Sequence, residues 1–347
     1  MKKTLLGITL GLIASYGLQA QEPLRFNADG TFKIVQFTDL HYNAVKPESR
    51  IVLKRIDEVL DAENPDLIVI TGDIIYSSPA KAALKNVFEC VSAHGVPFCA
   101  VFGNHDADFG TSKDEMYDYI RRFPGCVMPE REGSYDYALP VLASGVADET
   151  GSMAGPATAG VLYFIDSNAH IFENGKFVGY DYIKEPQVEW YKSTSATYTA
   201  ANGGTPLPSL AFFHIPLPEF HDAVKNEACT LIGTRMEPAC APQFNSGMFD
   251  AIRQMGDVFG VFVGHDHDND YAVAYENVLF AYGRYTGGNT EYNNLPNGAR
   301  VIVLKEGRRE LDSYIRIKGG RILTSFTFPE SFYQTPWADR PLDSECN

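Results

Sequence analysis

The chain has 347 residues, 45% hydrophobic and 21% charged, which suits a large folded α/β domain and excludes a disordered polymer. Asp and Glu number 44 against 29 Lys and Arg, for a formal net charge of −15, and no basic run interrupts that balance. A nucleic-acid-binding surface is therefore excluded, and an acidic protein that handles an anionic substrate needs a local positive centre such as bound metal.

The first twenty residues stand apart. Lys2 and Lys3 form a basic start, Leu5 to Leu18 is a short apolar run, and Ala20 is a small residue at a cleavage point. This pattern predicts a secretory signal peptide over 1–20, a mature chain from Gln21, and an exported protein, periplasmic or extracellular. The apolar run is short for a membrane span, and no later stretch is long enough, so no integral span is expected after cleavage. Export permits disulfides. There are six cysteines, none with C-x-x-C spacing; Cys229 and Cys240 flank a polar loop and are the pair that spacing favours.

Phe32 to Phe37 alternates into a strand that ends in Thr38-Asp39-Leu40-His41. Pro47 to Glu63 carries Ile51, Val52, Ile56, Val59 and Leu60 at helical spacing. Asp66 to Ile70 holds a continuous apolar run, the mark of a strand buried on both faces, and ends in Thr71-Gly72-Asp73. A helix is predicted over Pro79 to Ala93. A third buried strand follows over Val96 to Phe102, ending in Gly103-Asn104-His105-Asp106. The β-α-β-α-β order requires a sheet that is at least partly parallel, with ligands expected at the carboxyl ends of its strands. Gly72, Gly103 and Gly264 are expected to let the chain turn sharply there.

Beyond a helix near Lys113 to Phe123, Ser134 to Leu139 and Gly160 to Ile165 read as strands. A hairpin loop rich in Gly, Ala and Ser joins them over Ala143 to Ala159. Glu185 to Ala200 reads as a helix, and Leu210 to Phe213 as a strand ending in His214-Ile215-Pro216. A helix capped by Asn245 or Ser246 runs to Met255. Val258 to Val263 is a buried strand that runs into Gly264-His265-Asp266-His267. Strands then dominate, over Tyr271 to Tyr275, Val278 to Tyr282, Arg300 to Leu304 and Ser313 to Ile317. Gly283 to Gly298 is a polar loop expected to overhang the site, and the tail from Pro329 is expected to lie extended on the surface. With no repeat and no linker, 21–347 reads as one catalytic domain.

Five strand ends thus carry Asp39-x-His41, Gly72-Asp73, Gly103-Asn104-His105-Asp106, His214 and Gly264-His265-x-His267. Five of the eight histidines fall in these motifs. In extended backbone, positions i and i+2 face the same side, so His265 and His267 can aim at one point. His-x-His alone reads more readily as a polar turn. Four other strand ends with coordinating residues change that reading.

The order D-x-H, G-D, G-N-H-D, H, G-H-x-H resembles the calcineurin-like metallophosphoesterase superfamily from Lys33 to about Ile317. The strings Phe213-His214-Ile215-Pro216-Leu217-Pro218-Glu219 and Gly264-His265-Asp266-His267-Asp268-Asn269-Asp270-Tyr271 are similar to its purple-acid-phosphatase-like branch, which includes the Dcr2-type phosphatases and plant relatives. The resemblance implies a four-layer α/β/β/α sandwich with two mixed β-sheets. It implies two metal ions, iron, manganese or zinc. Asp39, His41 and His267 would hold the first, Asn104, His214 and His265 the second, and Asp73 would bridge both. A hydroxide shared by the ions would attack a phosphomonoester in line, and His105 would protonate the leaving oxygen. A phosphodiesterase of the same fold and a non-catalytic metal- or phosphate-binding protein are the alternatives. The expected partner is a small phosphorylated substrate.

Other residues carry open readings. Asn104 and His105 would also touch substrate. Asp106 would orient His105 or lie on the loop surface. Arg284 would meet a phosphate oxygen or sit on the surface, and His221 would touch substrate or not. Tyr76, in Gly-Asp-x-x-Tyr, resembles the iron-binding Tyr of purple acid phosphatases. His41 stands where those enzymes have Gly, so the two compete for one position. The reading takes His41 as ligand and Tyr76 as a wall residue. His94 reads as a helix-end cation, His170 as a loop residue, and Asp266 as a neighbour of the ligands or solvent-facing.

Overall fold

A computed structural model of the chain describes residues 22–145, 157–225, 230–288 and 290–332. The signal-peptide segment, most of the Ala143–Ala159 loop and the tail beyond Phe332 lie outside the described residues, as does the Cys229–Cys240 pairing, because Cys229 does.

Strands β1 (Thr31–Phe37), β2 (Leu67–Thr71) and β3 (Phe98–Val101) are parallel neighbours, joined by helices α1 (Ile51–Glu63) and α2 (Ala80–Ala93). β2 is buried along its whole length, as its unbroken apolar run requires. α1 turns Val52, Ile56, Val59 and Leu60 inward, and α2 turns Leu84, Val87, Phe88 and Val91 inward. Helix α3 (Lys113–Ile120) starts with a Ser112–Glu115 capping box.

Seven strands form the other sheet: β4 (Tyr137–Leu142), β5 (Thr158–Phe164), β8 (Ser209–Phe212), β9 (Leu231–Ile232), β10 (Val258–Val263), β11 (Ala272–Tyr275) and β12 (Val278–Tyr282). Their order is β4-β5-β8-β10-β12-β11-β9, with β5, β8, β10 and β12 parallel. Pro140 is tolerated in β4 because that strand is an edge. β13 (Gly298–Lys305), β14 (Leu311–Ile317) and β15 (Arg321–Phe328) return antiparallel to the first sheet, giving β15-β14-β13-β1-β2-β3.

Alternation along the second sheet builds the layers. Leu162, Phe164, Leu210, Phe212, Phe262 and Leu279 enter the core shared with the first sheet. Val161, Tyr163, Ala211, Val261, Val263 and Phe280 enter a second core, with helices α4 (Glu185–Ala201), α5 (Glu219–Lys225) and α6 (Met248–Met255). The architecture is the expected α/β/β/α sandwich with two mixed sheets.

Several local expectations need correction. α6 is preceded by Gly247 at φ 76°, and the Asn245 side chain accepts from the Gly247 N–H, so neither Asn245 nor Ser246 is the cap residue. β15 was not anticipated; only its last residues, Phe326 and Phe328, are buried, so its apolar signal is short. The tail is not extended from Pro329 onward as far as Phe332, the last described residue. A single turn over Glu330–Phe332 seats Phe332 against Phe326 and Phe328. His170 is not in a loop: β6 (His170–Glu173) and β7 (Lys176–Tyr180) make a separate hairpin, turned by Asn174 and Gly175 at positive φ. Among the described residues, no helix is long and apolar enough to cross a membrane.

Candidate metal centre

The carboxyl ends of β1, β2 and β3 meet those of β8 and β10. Gln36 crosses between the sheets, donating to the Val263 carbonyl at 3.1 Å and the Thr71 hydroxyl at 2.9 Å. The Asp39 carboxylate accepts the His265 N–H at 3.0 Å. Asp39, His41, Asp73, Asn104, His214, His265 and His267 are all buried at this junction.

Four of them sit in the left-handed backbone region: Asp39 at φ 52°, His41 at 41°, Asp73 at 48° and His265 at 78°. Such conformations are costly for residues with a Cβ, and their clustering marks a functional constraint. Of the three glycines expected to turn the chain, only Gly72 has positive φ, at 86°. The other two serve close approach. A Cβ on Gly103 would fall 2.1 Å from Asp73 Oδ1, and one on Gly264 would fall 1.9 Å from Thr38 Oγ1.

Asp39, His41 and His267 bring one ligand atom each within 4.8 Å of one another, and Asp39, Asp73 and His214 do the same. His41 Nε2 and His267 Nε2 are 3.1 Å apart. Asp73 Oδ2 lies 3.5 Å from His41 Nε2 and 3.2 Å from His214 Nε2, between the two groups. Asn104 Oδ1 is 3.0 Å from His214 Nε2. His265 belongs to neither group; among the described residues its Nε2 is buried without a hydrogen-bond partner.

These residues fit a metal. His214 Nδ1 is 2.8 Å from the Thr71 carbonyl, and His267 Nδ1 is 2.8 Å from the Tyr292 carbonyl. A carbonyl only accepts, so each Nδ1 carries a proton and each ring turns its Nε2 inward. For His214 that Nε2 faces oxygens of Asp73, Asn104 and, at 3.8 Å, Asp39. Oxygens gathered this way need a cation among them, the imidazolium without metal and a metal ion in its place. Burial disfavours a His214 cation, yet Asp73 and Asp39 outweigh it and push its pKa up to about 10. Burial likewise opposes ionised Asp73, but His214 and His41 hold it well below the usual carboxylate range. Burial keeps His41 and His265 well below the ordinary histidine value, in the neutral form that binds metal.

His105 lies at the mouth, half-buried, with its N–H donating to Asp73 Oδ1 at 2.8 Å. Its Nδ1 faces Asp108 Oδ2 at 2.7 Å. The carboxylate beside it is therefore Asp108, and the Asp106 reading is corrected. Asp106 is buried and accepts from the N–H groups of Ile74, Ile75 and Gly103 at 2.8, 3.2 and 2.7 Å. Burial and then Asp73 push its pKa up to about 7. It pins the β2 and β3 ends together.

His170 was missed. Its Nε2 accepts from Asn104 Nδ2 at 3.1 Å, which turns Asn104 Oδ1 toward His214. Its ring lies 4.9 Å from that of His105. Tyr76 packs edge-on against His41 and His105, at 5.3 and 5.4 Å, a wall position. The loop after β12 does overhang: Thr290 donates to the His41 carbonyl, and the Tyr292 ring stacks on His267 at 4.4 Å.

Arg284 is neither a phosphate contact nor a surface residue. It is buried, 2.5 Å from Asp270 Oδ2, and its Nε donates to the Pro296 carbonyl. Asp266 is also buried rather than solvent-facing; it accepts from Tyr282 at 2.6 Å, and burial pushes its pKa up to about 7. His221 is half-buried on α5, past the turn that follows His214. His94 caps α2 and pairs with Asp57 at 3.0 Å.

The plant protein named probable inactive purple acid phosphatase 29, from Arabidopsis thaliana, is 34% identical over 292 residues, covering 75% of this chain and 73% of its own. Phosphatase DCR2 of Saccharomyces cerevisiae is 29% identical, over 71% of this chain and 45% of its own. A solved dimetal phosphatase from Danio rerio shares the fold, with a TM-score of 0.59 at 14% identity, over 85% of this chain and 98% of that one. The model of the calcineurin-like phosphoesterase family matches residues 32–269, from β1 through the turn that carries His265 and His267. The chain belongs to the calcineurin-like phosphoesterase family.

Proposed function

We propose that this is an exported two-metal phosphoesterase, one catalytic domain over 21–347, that hydrolyses phosphomonoesters with His105 as general acid. The observation that carries the reading is the inward Nε2 of His214, held among three oxygens with its Nδ1 proton already committed to Thr71. Asp39, His41 and His267 would hold one ion; Asn104, His214 and His265 the other; Asp73 lies between. The ions, iron, manganese or zinc, supply Lewis acidity toward water and toward the phosphoryl oxygens.

The chain's own residues do the rest. The N–H bond to Asp73 fixes His105 relative to the cluster. As imidazolium, His105 donates from Nε2 to the leaving oxygen, and Asp108 stabilises that cation from Nδ1. The Tyr292 loop excludes water from one side of the site.

A second reading, metal binding without turnover, is favoured by the word inactive in the plant relative's name. Protein reconstituted with each metal, assayed on an aryl phosphomonoester and the matching diester, separates the readings. Monoester hydrolysis that disappears in His105→Ala is expected. A large preference for the diester makes the protein a phosphodiesterase. Metal-loaded protein that hydrolyses neither ester, while His105→Ala still binds phosphate, is a binding protein.

A further inference from the structure

The hairpin β6–β7 belongs to neither main sheet, and a lone two-stranded hairpin has little stability of its own. It is anchored at its root: His170 to Asn104, and the Tyr180 ring against His265 at 4.3 Å. Cross-strand pairing sets His170 opposite Tyr180 and Phe172 opposite Phe177. These four side chains form one aromatic face. Phe177 lies 5.5 Å from His170, 6.3 Å from Phe172 and 5.3 Å from Tyr180. The face begins at His105 and runs outward into solvent, where Phe172 and Phe177 are 60% and 52% exposed.

Single exposed apolar residues are common and need no explanation. Two adjacent phenylalanines, continuous with the proposed acid, are different, because exposed aromatic area is costly to hydrate unless something covers it. The phosphoryl group belongs at the buried polar cluster. The leaving oxygen belongs beside His105. The organic group on that oxygen must then point away from the cluster, along the hairpin.

We propose that Phe172 and Phe177 form a leaving-group subsite, and that the substrates are phosphoesters of apolar alcohols, alkyl or aryl. This rests on the phosphoesterase reading and names its substrate class. The occupant is the substrate's own organic group, because the aromatic face is continuous with the residue that must stand at the leaving oxygen.

Calorimetric binding of n-alkylphosphonates, which cannot be hydrolysed, from ethyl to octyl and kept monomeric, tests this alongside hydrolysis of the matching phosphates. Full burial of a methylene is worth a factor of about four, so an open wall predicts affinity rising about twofold per carbon. In Phe172→Ser/Phe177→Ser the octyl-to-ethyl ratio should fall toward one. In Phe172→Leu/Phe177→Leu most of it should remain, which separates lost apolar surface from a collapsed hairpin. Ethyl and octyl compounds bound or hydrolysed equally by the unaltered protein overturn the subsite but leave the phosphoesterase reading standing. Chain-length-dependent binding without hydrolysis supports the subsite and removes the enzyme. A hairpin that confers binding to phosphatidylcholine vesicles, with no chain-length preference, is a membrane contact and also overturns the subsite.

Discussion

His105 Nδ1 lies 2.7 Å from Asp108 Oδ2, while Asp106, the next residue in the chain, turns its carboxylate the other way, onto backbone N–H groups of Ile74 and Gly103 in the segments that follow β2 and β3. Two acids close in sequence therefore serve the imidazole and the fold separately. His105→Ala should lower kcat by about 10²–10⁴. Asp108→Asn should lower it by less, about tenfold, with little change in KM, and should add nothing in the His105→Ala background. A full second loss in the double variant would mean that Asp108 acts independently of His105.

Asp106→Ala should act on stability. It leaves three buried amides without an acceptor, each worth about 1–3 kcal/mol, so a total loss of roughly 3 kcal/mol or more is expected in urea unfolding. Unchanged stability with a large kcat loss would return Asp106 to a catalytic role.

Arg284→Ala should likewise lower stability, by about 3–5 kcal/mol, because it strands buried Asp270 without its partner. Soluble, folded variant protein should keep its KM. A raised KM in protein of normal thermal stability would restore the phosphate-contact reading.

The pH dependence turns on His214. Its folded pKa, about 10, stands above its ordinary 6.5 because Asp73 and Asp39 outweigh burial. The metal-free folded state then binds a proton that the unfolded chain releases, so this stabilisation is complete below pH 6.5 and is lost as pH rises through about 10. The melting temperature of metal-free protein should therefore fall over that interval. Metal needs the deprotonated Nε2, so loading at neutral pH should release a proton, read by calorimetry in buffers of different ionisation enthalpy. Proton uptake on loading would take His214 out of the ligand set.

The clustering of the strand-end residues was legible because each follows closely on an apolar strand and the strands return in a parallel order that brings their carboxyl ends together. Asp39 with His41, and His265 with His267, gained meaning only from the other strand ends, because either pair alone reads as a polar turn. His170 was not legible: its strand is four residues long and the hairpin stands outside both sheets, so no core pattern announces it. Asp106 and Asp108 are indistinguishable as a string; only the turn at 106–109 sends one inward and the other to the mouth. The Arg284–Asp270 pair was hidden for a similar reason, since a charged residue in a polar segment gives no sign of burial until its partner is placed.

Metal content and hydrolysis measured on the same reconstituted samples test the central claim most directly. The account predicts two ions per chain, phosphomonoester hydrolysis that scales with occupancy, and loss of both with Asp73→Asn. A full two-ion load that hydrolyses neither monoester nor diester would contradict it.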